Sequence, residues 1–232
     1  MSEKVAIVTA ASRGMGEAIA RKLHQEGYRL VLMSRSEDVL KVAKETNAIA
    51  ITGSTAKKED LDSLVEKALE HYDRIDAIVC NTGHPPKGEI TELSADDWAA
   101  GMDIAFMYLV HLMNKATPSL MKTKGSVVAI STYAAVEPSL DFPVSSVARA
   151  ALSAYIKLYA DRYAKNGIRI NSVQPGFIDT FDVSAEKLDR IPLNRPGKRG
   201  EIADTVAFLL SDSAGYITGQ NIRVDGGLSR SI

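Results

Sequence analysis

The 232 residues, 45% hydrophobic and 25% charged with a formal net charge of −1, suit one globular domain and exclude the basic stripe that a nucleic-acid partner needs. A single cysteine, Cys80, excludes an internal disulfide framework and fits a reducing compartment. The opening run MSEKVAIVTAAS is short, follows one lysine and enters a glycine-rich turn, so it reads as a first strand rather than a signal peptide. No apolar stretch is long enough to span a bilayer, and the expectation is a cytoplasmic protein without a membrane partner.

Compact β-branched runs at 5–10, 29–33, 48–52, 75–80, 126–131, 168–174 and 221–224 alternate with helical patterns near 15–26, 37–46, 57–71, 95–121, 144–165 and 200–210. Strands that are apolar along their whole length are buried on both faces. The alternation predicts a doubly wound, Rossmann-like α/β fold, with seven parallel strands and helices on both faces. No repeat, linker or low-complexity tract divides the chain, so residues 1–232 read as one domain.

The first strand runs into TAASRGMG, Thr9 to Gly16. Glycines at such a turn let the backbone approach a pyrophosphate and aim a helix N-terminus at its charge. The second strand ends in MSRS. An acid at that strand end would bind a ribose 2′-hydroxyl, whereas Ser34 and Arg35, with Arg13 in the turn, suit a 2′-phosphate. That favours NADP(H) over NAD(H); the alternative is that both arginines are ordinary solvated surface residues.

These motifs, in this order, resemble the short-chain dehydrogenase/reductase family, most closely the β-ketoacyl carrier-protein reductase type. TAASRGMG is similar to the family's TGxxxGxG turn, with Ala10 for the first glycine, a change that matters only if the position needs positive φ. VCNTG (79–83) resembles its NNAG loop with Cys80 for the first Asn, GSVVAIST (125–132) its serine-bearing strand, and NSVQPGFIDT (171–180) its PG motif. Residues 202–227 resemble its C-terminal signature. The resemblance implies cofactor contacts from Thr9, Ser12, Arg13, Gly14, Met15, Gly16, Ser34, Arg35, Ser54, Asn81, Gly83, Arg149, Pro175, Gly176, Ile178 and Thr180. Gly53 stands where the family usually has an Asp for the adenine amino group.

The family's active site is an Asn, a Ser, a Tyr and a Lys. Matched residue by residue, these fall on Ala105, Thr132, Ser145 and Arg149, so all four differ. Tyr and Lys at i,i+4 share one helix face, as Ser145 and Arg149 do here. A serine hydroxyl is a far weaker acid than a phenol, and a guanidinium anchors charge without shuttling protons. Thr132 still offers a hydroxyl. Tyr133, next to it, is the best substitute proton donor. In the similar dienoyl-CoA reductase branch a Tyr shortly after this strand acts as the acid, one residue further on and with the Lys retained. Adjacent residues can point oppositely, so two orientations are open to Tyr133, toward the site or away from it. His84, Glu137 and Asp141 are lesser candidates. Tyr155, Tyr159 and Tyr163 read as core or subunit packing. The four histidines lack metal-ligand spacing, so no metal is expected.

Three functions follow. The first is an NADP(H)-dependent oxidoreductase acting on a carbonyl, alcohol or enoyl substrate with a non-standard proton donor. The second is a nucleotide-binding protein without redox turnover, a sensor or an assembly partner. The third is another reaction class, an isomerisation or lyase step, in the same pocket. The family likeness also implies a homodimer or homotetramer through the helices near 95–121 and 144–165, and the loop FDVSAEKLDRI (181–191) corresponds to the family's substrate lid.

Overall fold

The structure, a computed structural model, describes residues 3–231. Seven strands form one parallel sheet: β1 (Val5–Thr9), β2 (Arg29–Ser34), β3 (Ile49–Thr52), β4 (Ala77–Cys80), β5 (Ser126–Ile130), β6 (Arg169–Pro175) and β7 (Asn221–Val224). Their order is β3-β2-β1-β4-β5-β6-β7. The order reverses between β1 and β4, and in such sheets a crevice opens there at the strands' carboxyl ends.

Alternation along each strand sends side chains to two separate cores. Ile7, Val31, Ile78, Val127 and Ile170 pack against α3 (Lys58–Tyr72), α5 (Tyr108–Thr123) and α6 (Pro143–Tyr163). Val8, Leu30, Val79, Ile130 and Val173 pack against α1 (Gly14–Gln25), α2 (Asp38–Glu45) and α8 (Arg199–Leu210). A fully buried Leu or Ile contributes roughly 1.5–3 kcal/mol, so a sheet covered on both faces explains why the central strands β1 and β4 are buried throughout.

Two segments depart from expectation. The pattern at 95–121 predicts one helix, but the chain forms α4 (Ala95–Met102), a π-helical turn (Asp103–Met107) and then α5. Lid residues Ala185–Asp189 form a short helix, α7, where only a loop was expected. No helix among the described residues is long and apolar enough to cross a membrane.

Candidate functional site

The turn after β1 is held by its neighbours. The Thr9 hydroxyl donates to the Asn81 carbonyl at 2.5 Å and accepts from the Asn81 amide at 2.9 Å, and the Asn81 side chain donates to the Ala10 carbonyl at 3.4 Å. Ala10 adopts φ +50°, the left-handed backbone that glycine takes without strain. Gly16 is required sterically: an added Cβ would lie 2.1 Å from the Ala10 oxygen and 2.8 Å from the Asn81 side-chain nitrogen. Residue Thr180, from the PG loop, rests its methyl 3.3 Å from where a Cβ would stand on Gly14. Pro175 and Gly176 enter that loop from the end of β6, and Ile178 bridges to Gly197.

These ties leave the ligand-facing groups free. The residue before α1, Arg13, is extended and its side chain caps nothing, so the first amides of the helix stay available beside Met15 and Gly16. Ser12 and Ser34 hydroxyls join at 2.8 Å, fixing the end of β2 beside the turn. Exposed Arg13 and Arg35 form no ion pair among the described residues. The Arg35 guanidinium reaches within 3.4 Å of the position a Cβ would take on Gly83. Beyond β3, the Ser54 amide is taken by the Asp60 carboxylate at 2.8 Å. A close-approach turn, uncapped amides and two unpaired guanidinium groups fit a dinucleotide bearing an extra phosphate.

Across the crevice, Arg149 is 5% exposed. Its Nη1 donates to the Ile130 carbonyl at 2.7 Å and to the Tyr108 hydroxyl at 3.4 Å. The Tyr108 hydroxyl in turn donates to the Cys80 carbonyl at 3.0 Å. Burial pushes the Tyr108 phenol up to about 12, against the pull of the neighbouring guanidinium. Through Nη1, Arg149 is thus anchored at the carboxyl ends of β4 and β5. Ala105 is fully buried within the π-helical turn.

Ser145, half-buried in the first turn of α6, makes no side-chain hydrogen bond among the described residues. Thr132 accepts from the Ala134 amide at 3.3 Å and so shapes the turn that places Tyr133. The Tyr133 ring lies 5.7 Å from that of Phe177, in a cluster with Ile191 and Leu228 beneath the lid. Its hydroxyl is buried and makes no hydrogen bond. Burial raises its pKa, and the positive charge of Arg190 pulls it back down. Tyr133 therefore stands under the PG loop and the lid, beside a cavity of about 380 Å³ lined by Thr180, Val183, Leu188 and others.

The lesser candidates are otherwise engaged. Glu137 accepts from the Arg230 and Ser231 amides, and Asp141 pairs with Lys187 at 3.5 Å. Desolvation and the charges of Lys87 and Arg149 lower the His84 pKa, favouring its neutral form over the acid. The tyrosine stripe on α6 packs on itself, Tyr159 and Tyr163 rings being 4.6 Å apart, and the Tyr159 hydroxyl meets Thr117 at 2.6 Å.

Sequence reasoning missed three residues. Tyr108 lies three residues beyond Ala105, fully buried, with its hydroxyl between the Cys80 carbonyl and the Arg149 guanidinium. Ser131 and Gln174 each extend the register by one residue past the Ile130–Val173 pair, which faces α8. Both therefore turn toward α6, buried, and neither side chain has a hydrogen-bond partner.

The family model described as enoyl-(acyl carrier protein) reductase matches residues 9–229. A 3-oxoacyl-[acyl-carrier-protein] reductase of Synechocystis sp. is 34% identical, with 98% of each chain covered. A glucose 1-dehydrogenase of Gluconobacter oxydans is 30% identical, over 97% of this chain and 92% of its own. The solved structure of YwfH, an NADPH-dependent reductase involved in bacilysin biosynthesis, superposes over 100% of both chains with a TM-score of 0.94 and 25% identity. From its nucleotide turn to its C-terminal signature, the chain belongs to the short-chain dehydrogenase/reductase family.

Proposed function

We propose that the chain is an NADP(H)-dependent oxidoreductase of the cytoplasm that reduces a carbonyl or conjugated enoyl substrate, with Tyr133 as proton donor. The buried, unbonded Tyr133 hydroxyl under the PG loop carries this reading. Arg13 and Arg35 bind the 2′-phosphate, the amides of α1 the pyrophosphate, and Asn81, Gly83, Pro175, Gly176, Ile178 and Thr180 the rest of the dinucleotide. When bound, the nicotinamide supplies hydride to the substrate carbon. Thr132 orients the substrate oxygen and Tyr133 delivers the proton. Burial keeps Tyr133 protonated beyond the ordinary tyrosine value of 10, so the acid form persists throughout the neutral range.

The test is NADPH oxidation with a panel of ketones and enoyl thioesters. Tyr133→Phe should lower turnover by roughly a hundredfold or more while leaving NADPH affinity unchanged. Undiminished turnover would remove Tyr133 from the mechanism. A second reading, a nucleotide-binding protein without turnover, draws on the inward-turned Arg149 and the lone Ser145; NADPH binding without oxidation of any substrate would favour it. Exposed Val147 and Leu158 on α6 support self-association through that helix and α4–α5 as a dimer or tetramer, measurable by light scattering.

A further inference from the structure

One peptide unit joins the two sides of the crevice. It links Cys80, the last residue of β4, to Asn81, and the N–H and C=O of a trans peptide point opposite ways. Its N–H donates to the Thr9 hydroxyl at 2.9 Å, on the side of the nucleotide turn. Its carbonyl accepts from the Tyr108 hydroxyl at 3.0 Å, on the side of α5 and α6. Tyr108 is fully buried, and the Arg149 guanidinium donates to the same hydroxyl at 3.4 Å. A phenol that accepts from a cation is polarised into a stronger donor, so Arg149 reinforces the bond from Tyr108 to the peptide.

Beyond that peptide lies the nucleotide frame. The Asn81 carbonyl accepts from Thr9 at 2.5 Å, and the Asn81 side chain donates to the Ala10 carbonyl at 3.4 Å. The Ala10 carbonyl is the atom that Gly16 approaches too closely for any side chain to fit. Two residues after Asn81, a Cβ on Gly83 would stand 3.4 Å from the Arg35 guanidinium. Between them, the Thr82 and Thr55 hydroxyls meet at 2.9 Å and tie the segment to the loop after β3. Hydrogen-bonded groups in a buried network cannot move singly without leaving a partner unsatisfied. A shift of the Cys80–Asn81 peptide is therefore passed to the turn and toward Arg35.

We infer that Tyr108 is a positioning residue for the dinucleotide. It acts without touching the ligand, by holding the Cys80–Asn81 peptide in the orientation that sets Asn81 and the turn. This role rests on the dinucleotide-binding part of the proposed function. Tyr159 supplies the contrast, a buried phenol on α6 whose hydroxyl meets the Thr117 hydroxyl of α5 at 2.6 Å. That pair lies roughly two and a half turns further along the two helices than Tyr108 and Arg149, and it holds no part of the nucleotide frame.

The test compares Tyr108→Phe with Tyr159→Phe in the full chain, each substitution removing one buried hydroxyl. Both should lower the denaturation midpoint. In fluorescence titration, Tyr108→Phe should weaken NADPH by roughly five- to tenfold, while Tyr159→Phe stays within about twofold of the parent. Thr9→Val loosens the other side of the same peptide, so its loss combined with that of Tyr108→Phe should fall short of the product of the two. Hydrogen exchange of the Asn81 amide, read without cofactor, should be at least about tenfold faster in Tyr108→Phe and unchanged in Tyr159→Phe. NADPH affinity untouched by Tyr108→Phe, equal losses in the two phenylalanine variants, full multiplication in the double variant, or Asn81 exchange as slow as in the parent would each overturn the role. A parent chain that does not bind NADPH would end the dinucleotide reading instead, because the Asn81 exchange still decides whether Tyr108 holds the peptide.

Discussion

The nucleotide end and the catalytic end differ in where their polar groups go. At the nucleotide end, Thr9, Asn81, Ser12 and Ser34 bond to one another or to backbone, and Arg13 and Arg35 are left unpaired for a ligand. At the catalytic end the strongest charge, Arg149, is committed to Ile130 and Tyr108, while Ser131, Gln174 and Tyr133 are buried without partners. One end has a finished frame around open binding groups. The other holds its cation inside the frame and leaves neutral groups unsatisfied.

The sharpest way to break that contrast is Gly16→Ala. With a Cβ 2.1 Å from the Ala10 oxygen, the turn must shift. The substitution should cost about 3 kcal/mol of stability, read from the denaturation midpoint, and abolish NADPH binding. A variant with normal midpoint and affinity would mean the frame is not rigid.

Next comes Arg35→Ala, which should weaken NADPH by roughly ten- to a hundredfold and leave NADH nearly unchanged. Equal losses for both dinucleotides would make Arg35 a surface residue after all. At the other end, Gln174→Leu replaces a buried amide that has no partner, and a gain of about 1 kcal/mol in chemical denaturation is expected. A loss would show that water or substrate satisfies the amide.

The smallest effect belongs to Ala10→Gly. Left-handed backbone costs alanine about 1–2 kcal/mol, and the extra freedom of an unfolded glycine offsets roughly 0.4–1 of it. The net gain should be about 0.5 kcal/mol by denaturant titration. A net loss would mean that the φ of +50° carries no strain.

The same contrast governs what was legible in the sequence. Glycine spacing dictates backbone geometry directly, so Gly14 and Gly16 could be read from the chain, as could seven parallel strands from their compact apolar runs; the order of the strands in the sheet could not. Ala10 could be flagged, but only the structure shows that the position takes positive φ. At the catalytic end, chain position places Arg149 one turn beyond Ser145, but its direction depends on Tyr108 and the Ile130 carbonyl, contacts far apart in sequence. Tyr133 was identified as a candidate, yet neither its burial nor its missing partner follows from its neighbours. Hydrophobic periodicity also cannot reveal an extra residue within a helix, so 95–121 reads as continuous when it is interrupted at Asp103–Met107.

That interruption sets the angular phase of everything after it. A π turn holds about one residue more than an α turn, which advances the following helix by roughly 100° about its axis. Tyr108 is the first residue of α5 and meets Cys80 and Arg149 in that phase. Shortening the segment by one residue would rotate the helix like a key turned in its lock, carrying the phenol away from both partners and presenting a different stripe of α5 to the sheet.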